Sequence, residues 1–124
     1  MTPEDVRTDG YENHFGTNVL GPALLTQLLM PTLRKAAEAN FQTHMVMLSS
    51  AAYAVAPSDM YKFDELRINA ANRRTTERYT TLKLANIHYA RALAGTEKKV
   101  KIVPVRPGLM ATNLHDSEYP TYCK

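Results

Sequence analysis

The sequence has few of the residues that mark secreted or membrane proteins. It contains one cysteine, Cys123, among 124 residues, so no disulfide can form within the chain, and a reducing, cytoplasmic compartment is predicted. No apolar run approaches the roughly 20 residues of a membrane-spanning helix, since Gly21 and Pro22 interrupt the longest candidate, 19–30. The first residues also lack the basic and apolar segments of a signal peptide. Neither a membrane span nor secretion is therefore expected.

Charge of one sign is also scarce. Lys and Arg total 15 against 12 Asp and Glu, a formal net charge of +3, and the basic cluster is confined to residues 98–101. A nucleic-acid partner is not expected, because it would need a longer basic stripe with interleaved aromatic residues. The four histidines show no shared ligand spacing, so no metal site is predicted.

Two helices are predicted from the spacing of apolar residues. The first covers about 11–39, with a kink at Gly21–Pro22 and a bend at Pro31. The second covers about 76–94, with Gly95 as its C-cap.

Two short apolar runs, 44–48 and 100–105, predict β-strands. Neither alternates with polar residues, which indicates strands buried on both faces, as in a parallel sheet. Together with the helices they predict an α/β fold. Two central strands need neighbours and covering helices on both faces, so residues 1–124 are predicted to form part of a larger domain.

The second helix carries Tyr79 and Lys83 four residues apart, which places both side chains on one face. A lysine ammonium beside a phenol favours the phenolate, so such a tyrosine can exchange protons with an alcohol or carbonyl oxygen. This spacing is common by chance. It gains weight because Ser49-Ser50 and Pro107-Gly108 each end a predicted strand, where ligands bind in open parallel sheets.

Each of these signals has an ordinary structural interpretation. A serine after a strand, such as Ser50, is often a turn or helix cap. An asparagine within a helix, such as Asn18, often binds only local backbone. Pro107-Gly108 by itself indicates a turn.

Four ordered segments resemble the short-chain dehydrogenase/reductase family. They are 15–21, with Asn18; 46–50, which ends in Ser50; 79–86, with Tyr79 and Lys83; and 106–112, with Pro107-Gly108 and Thr112. The 29-residue separation of Ser50 and Tyr79, with segment 61–66, resembles the retinol-dehydrogenase-like branch and especially its fungal members. That branch suggests a small apolar alcohol, aldehyde or ketone as substrate.

The resemblance implies a catalytic role for four residues. Tyr79 would be the general acid/base, and Lys83 would promote its ionisation and hold the cofactor ribose. Ser50 would hydrogen-bond the substrate oxygen. The choice of Ser50 over Ser49 follows from the family resemblance, and geometry supports it only in that adjacent strand residues point to opposite faces, so that one of the two can enter the cleft. Asn18 would hold a water that relays the proton. The expected cofactor contacts are made by Asn18, Tyr79, Lys83, Pro107, Gly108 and Thr112.

The resemblance also predicts what this chain does not contain. Its five glycines do not form the family's Thr-Gly-x-x-x-Gly-x-Gly turn, which cradles the cofactor pyrophosphate. The chain is therefore predicted to be the C-terminal catalytic portion of a Rossmann-like, doubly wound parallel sheet domain. The turn would belong to the N-terminal portion, which this chain is predicted to lack. The cofactor would be NAD(P), with NADP slightly favoured, and the chain alone is not expected to bind it.

The alternative function is a non-catalytic remnant or interaction module. In the family, the helices that carry Asn18 and Tyr79 also tend to form dimer contacts, so a homodimer through these helices is a further expectation.

Overall fold

The computed structural model describes residues 5–39 and 42–108, and these form an α/β arrangement of helices around a small parallel sheet. In chain order the elements are helix α1 (Asn13–Phe15), a π-helical turn (Gly16–Leu20), helix α2 (Gly21–Ala39), strand β1 (His44–Leu48), two 3₁₀ turns (Ala51–Val55 and Glu65–Arg67), helix α3 (Thr75–Thr96) and strand β2 (Lys101–Val105). The predicted fold class and the predicted order of helices and strands are confirmed.

A buried carboxylate sets the start of the first helix. The side chain of Glu12 accepts hydrogen bonds from the backbone N–H groups of His14, at 3.0 Å, and Phe15, at 2.7 Å. These groups have no partner inside the helix, so Glu12 acts as its N-cap. The helix therefore begins at Asn13. The sequence pattern predicted a start at about Tyr11. Glu12 is also 3.5 Å from the Arg78 guanidinium, which joins the helix start to α3.

The predicted kink in the first helix takes the form of a widened turn. At Gly16–Leu20 the helix is π-helical, and the N–H of Gly21 donates to the carbonyl of Gly16, five residues earlier. Pro22 has no N–H, so it cannot donate to the carbonyl of Asn18, four residues earlier. A π turn accommodates such a missing bond. Farther on, α2 continues through Pro31 to Ala39.

The two strands pair in parallel, from His44 opposite Lys101 to Leu48 opposite Val105. The N–H of Ser49 extends the pairing by donating to the Val105 carbonyl at 2.8 Å. Because the strands run in the same direction, their carboxyl ends meet at one edge of the sheet. The residues that follow each strand are therefore neighbours.

The sheet is covered on one face only within the described residues. Met47 and Ile102 are buried, whereas Val46 and Leu48, on the other face of β1, are 54% and 57% exposed. Helix α2 contributes Met30 and Ala37, and helix α3 contributes Ala90, to a cluster on the Met47 face that also contains Val100 and Ile102. The prediction of strands buried on both faces is thus wrong for this part of the chain, because both helices pack on the same side.

A second apolar cluster lies beside the π turn. It joins Val19 of that turn to Leu82 and Ala85 of α3. Met60, from the loop between the two 3₁₀ turns, completes the cluster. This cluster seats the first helix against the part of α3 that carries Tyr79 and Lys83.

The end of α3 differs from the prediction. Gly95 lies inside the helix, which ends at Thr96, and the N–H of Glu97 donates to the Leu93 carbonyl at 2.8 Å. The buried carboxylate of Glu97 accepts a backbone hydrogen bond from Lys99 at 2.8 Å and an ion pair from Arg34 at 2.6 Å. These contacts hold the chain beyond Gly95 and explain why a glycine C-cap is not used. The Lys99 backbone bond, followed by Arg34, holds the pKa of Glu97 at about 2.

The lowered pKa of Glu97 predicts a loss of stability in acid. Its contribution is fully present above the ordinary value of 4.5 and is lost as the pH falls through about 2. We expect the melting temperature to fall over this range, and to fall less steeply in Glu97→Gln, which cannot titrate. Circular dichroism melts at a series of pH values measure both slopes. The exposed Asp64→Asn variant is the control and should keep the wild-type slope, whereas equal slopes for wild type and Glu97→Gln would contradict the expectation.

Candidate active site

Tyr79 and Lys83 lie side by side on α3. The Lys83 ammonium is 5.6 Å from the centroid of the Tyr79 ring, within the range of a cation–π contact. Tyr79 is 37% exposed and Lys83 is half-buried. An accessible phenol therefore stands next to a fixed positive charge, which is the pairing that proton exchange by a tyrosine requires. The catalytic roles of these residues stay predictions.

The two serines after β1 point to different partners. The buried Ser49 hydroxyl donates to the carbonyl of Lys83 at 2.8 Å. The half-buried Ser50 oxygen accepts from the N–H of Ala52 at 3.3 Å and caps the first 3₁₀ turn. Ser50 thus makes the cap contact that is expected of an ordinary serine after a strand. Because its oxygen is the acceptor in that contact, its own O–H remains a donor for another group.

Asn18 lies in the π turn, with its side chain exposed. Its side-chain amide donates to the His14 carbonyl at 3.0 Å, which is the local backbone contact expected of an asparagine in a helix. Its backbone carbonyl faces α3 and accepts from the side-chain amide of Asn86 at 3.2 Å. Asn18 thus makes hydrogen bonds through both its side chain and its backbone, and its catalytic role stays a prediction.

Asn86 is the site residue that the sequence analysis did not single out. Its buried side-chain amide contacts both the Asn18 carbonyl and, at 3.4 Å, the carbonyl of Leu48 at the end of β1. The available signal was a polar residue placed between Ala85 and Tyr89, on the side of α3 that packs inward. Burial of an amide at such a position indicates a defined hydrogen-bond partner.

The segment after β2 begins at the same edge of the sheet. Pro107 and Gly108 are exposed there, directly after β2 and Arg106. Thr112 lies outside the described residues. Tyr79 thus contacts Lys83, the Lys83 carbonyl accepts from Ser49, and the Asn18 carbonyl accepts from Asn86. Ser50 bonds instead to Ala52, and Pro107 and Gly108 lie exposed after β2.

A cleft of about 390 Å³ opens between α3 and the carboxyl end of the sheet. Its lining combines apolar side chains with two arginines, and consists of Ser49, Tyr53, Ile87, Arg91, Pro104, Val105 and Arg106. Ser49 thus borders the cleft, while its hydroxyl is committed to α3.

Two other tyrosines, Tyr61 beside α3 and Tyr89 within it, have raised pKa values. Burial raises the pKa of Tyr61, whose hydroxyl is 2.6 Å from Nδ1 of His88. Burial also raises the pKa of Tyr89, whose hydroxyl donates to the Ala23 carbonyl at 3.3 Å. The hydroxyls of Tyr61 and Tyr89 thus already contact His88 and the Ala23 carbonyl, which suits a structural role.

The described ranges, 5–39 and 42–108, hold no group of three or more His, Cys, Asp or Glu side chains that could bind a metal ion. Among the helices of these same ranges, none combines the length and the apolar character needed to cross a membrane.

The chain is similar to several dehydrogenases. It is 31% identical to polyprenol dehydrogenase of Homo sapiens over 115 residues, 93% of this chain and 35% of the relative. It is 34% identical to short-chain dehydrogenase TIC 32 A, chloroplastic, of Brassica napus over 118 residues, 90% of this chain and 36% of the relative. Retinol dehydrogenase 14 of Mus musculus is 33% identical over 114 residues, 86% of this chain and 30% of the relative.

Other comparisons give no match: no family model and no solved structure is similar to the chain. The chain spans about one third of the length of the curated relatives it matches. The similarity nevertheless covers nearly all of this chain and includes the segments that carry Asn18, Ser50, Tyr79 and Lys83. The chain belongs to the short-chain dehydrogenase/reductase family.

Proposed function

We propose that this protein is an oxidoreductase that transfers hydride between NAD(P) and a small alcohol or carbonyl substrate. The observation that carries the proposal is the Lys83 ammonium against the accessible Tyr79 ring, beside the carboxyl ends of two parallel strands. The names of the relatives support an oxidoreductase. Two of them are named for polyprenol and retinol, which favours an apolar alcohol as substrate here.

The proposed chemistry is a proton transfer coupled to hydride transfer. Bound NAD(P)H supplies the hydride to the carbonyl carbon in the direction of reduction. Tyr79 donates its hydroxyl proton to the carbonyl oxygen, and the positive charge of Lys83 stabilises the phenolate that remains. Ser50 donates its O–H to the same oxygen, where negative charge develops. In the direction of oxidation the tyrosine phenolate takes the proton of the alcohol.

Asn18 is proposed to return the proton to solvent through a bound water. A backbone carbonyl has two acceptor positions, and Asn86 occupies one of those of Asn18. The proposed water occupies the other. This assigns the relay to the backbone of Asn18, while its side chain bonds to His14.

One end of a dinucleotide cofactor is proposed to bind here. Tyr79, Lys83, Pro107 and Gly108 are proposed to hold its ribose and nicotinamide, with Thr112 as a further proposed contact. The chain's five glycines do not form the family's Thr-Gly-x-x-x-Gly-x-Gly turn, and within the described residues Gly16 and Gly21 lie in the first helical segment. The preference for NADP and the cytoplasmic location stay predictions, and one relative is named as chloroplastic.

Replacing Tyr79 tests the proposed reaction. In a full-length preparation that reduces a carbonyl with NADPH or NADH, Tyr79→Phe should lower kcat by about 100-fold or more, because it removes the transferable proton. Steady-state kinetics with each variant measure the loss. Tyr61→Phe is the matched control, since it deletes a phenolic hydroxyl that bonds to His88. Wild-type turnover by Tyr79→Phe would exclude the proposed role.

Cofactor titration tests what this chain can hold alone. Calorimetric titration of the 124-residue chain with NADPH or NADH should give no saturable heat, because the chain offers ribose contacts without a phosphate cradle. A full-length short-chain dehydrogenase serves as the positive control. Saturable binding that is lost in Lys83→Met would contradict the expectation and indicate that the chain has a second site for the phosphates.

One feature supports a second candidate function, that of an interaction module. Four leucines of α2 are 46–69% exposed, namely Leu24, Leu25, Leu28 and Leu29. They lie at one- and four-residue spacing and form a single apolar stripe on the helix. An exposed stripe of this kind favours protein association. We propose that two copies of the chain associate through it, as in the predicted homodimer.

Charge placed in the leucine stripe tests the association. Leu28→Glu should shift the chain from dimer to monomer in sedimentation velocity, because it puts a carboxylate into the proposed contact. Gln27→Glu adds the same charge one residue earlier, outside the stripe, and should leave the dimer intact. A wild-type chain that sediments as a monomer at every concentration would exclude this candidate.

A further inference from the structure

Pro22 leaves the Asn18 carbonyl without the donor that an α-helix would supply. In a regular helix the N–H of residue 22 would donate to the carbonyl of residue 18, but proline has none. Instead the carbonyl accepts the side-chain amide of Asn86 at 3.2 Å. A donor from α3, 68 positions away in the chain, thus takes up an acceptor in the π turn.

The same part of α3 exchanges hydrogen bonds with the end of β1. Asn86 donates to the carbonyl of Leu48 at 3.4 Å, and Ser49 donates its hydroxyl to the carbonyl of Lys83 at 2.8 Å. In one bond the helix donates to the strand end, and in the other the strand end donates to the helix. Leu48 and Ser49 are adjacent, and Lys83 and Asn86 lie within one turn of α3. Because Ser49 is also bonded to Val105 through its N–H, β2 is tied to the same point.

We propose that Asn86 and Ser49 are positioning residues that fix the Lys83 turn of α3 against the π turn and the strand ends. They would set where Lys83 lies relative to Ser50 and to the Asn18 carbonyl. The catalytic consequence rests on the function proposed above, but the positioning is a property of the chain itself.

The choice of residue types supports a positioning role. Asn86 and Ser49 are both 4–5% exposed, between apolar side chains of α3 and the sheet, where aliphatic residues would pack without needing partners. An aliphatic side chain would have no directional preference, whereas an amide shared by two carbonyls defines the distance and rotation between three elements.

Three variants separate positioning from folding. Asn86→Leu keeps a similar volume and removes both donated bonds, while Ser49→Ala removes only the bond to Lys83. Asn72→Leu makes the first change at an exposed position and is the matched control. Circular dichroism monitors the fold, and NOEs between the protons of residue 49 and those of Lys83 report how close α3 lies to the strand end without cofactor or substrate.

We expect these NOEs to weaken or vanish in folded Asn86→Leu and Ser49→Ala and to persist in Asn72→Leu. In an active full-length preparation, the first two variants should lower kcat about tenfold with little change in KM, as a misplaced catalytic group does. If Asn86→Leu does not fold, Ser49→Ala decides the outcome. Unchanged NOEs in folded Ser49→Ala would overturn the proposal. Loss of these NOEs in a protein without dehydrogenase activity would support the positioning and reject only the proposed function.

Discussion

The parallel pairing of β1 and β2 is the constraint on which the rest of this structure depends. Strands that run in the same direction cannot be joined by a tight turn, so the chain must cross from one end of the sheet to the other. Helix α3 makes most of that return and packs its apolar side chains on Met47 and Ile102. The crossover brings both strand ends to one edge, and it delivers Tyr79 and Lys83 of α3 to the same region.

Buried polar side chains hold the helices at this edge. Glu12 caps the first helix and reaches Arg78, next to Tyr79. Asn86 and Ser49 connect α3 to the π turn and to the strand ends. The contacts of Glu12 with Arg78, of Asn86 with Asn18 and of Ser49 with Lys83 join segments far apart in the chain. Each places a hydrogen-bonding group where an apolar residue would specify less about orientation. The apolar clusters supply attraction, and the polar contacts select one arrangement of the helices.

The exposed apolar surfaces are consistent with a chain that corresponds to only part of the length of its relatives. One face of β1 and the leucine stripe of α2 are exposed, and the chain spans about one third of its curated relatives. The site shows the same division: it has the proposed proton-transfer residues, and its glycines offer no phosphate cradle. The chain is thus similar to about one third of a longer dehydrogenase, and the catalytic role of this edge of the sheet is a proposal.

The sequence by itself determined the order of elements and the spacing of Tyr79 and Lys83, because periodicity and local spacing are properties of neighbouring residues. It also placed Ser50 and Pro107 at strand ends. It did not predict that β1 is covered on one face only, that Glu97 extends α3 beyond Gly95, or that Asn86 meets the carbonyl of Asn18. Those features depend on residues that only the tertiary structure brings together. Pro22 shows both sides: the sequence removes a helical donor from Asn18, and tertiary packing decides which group replaces it.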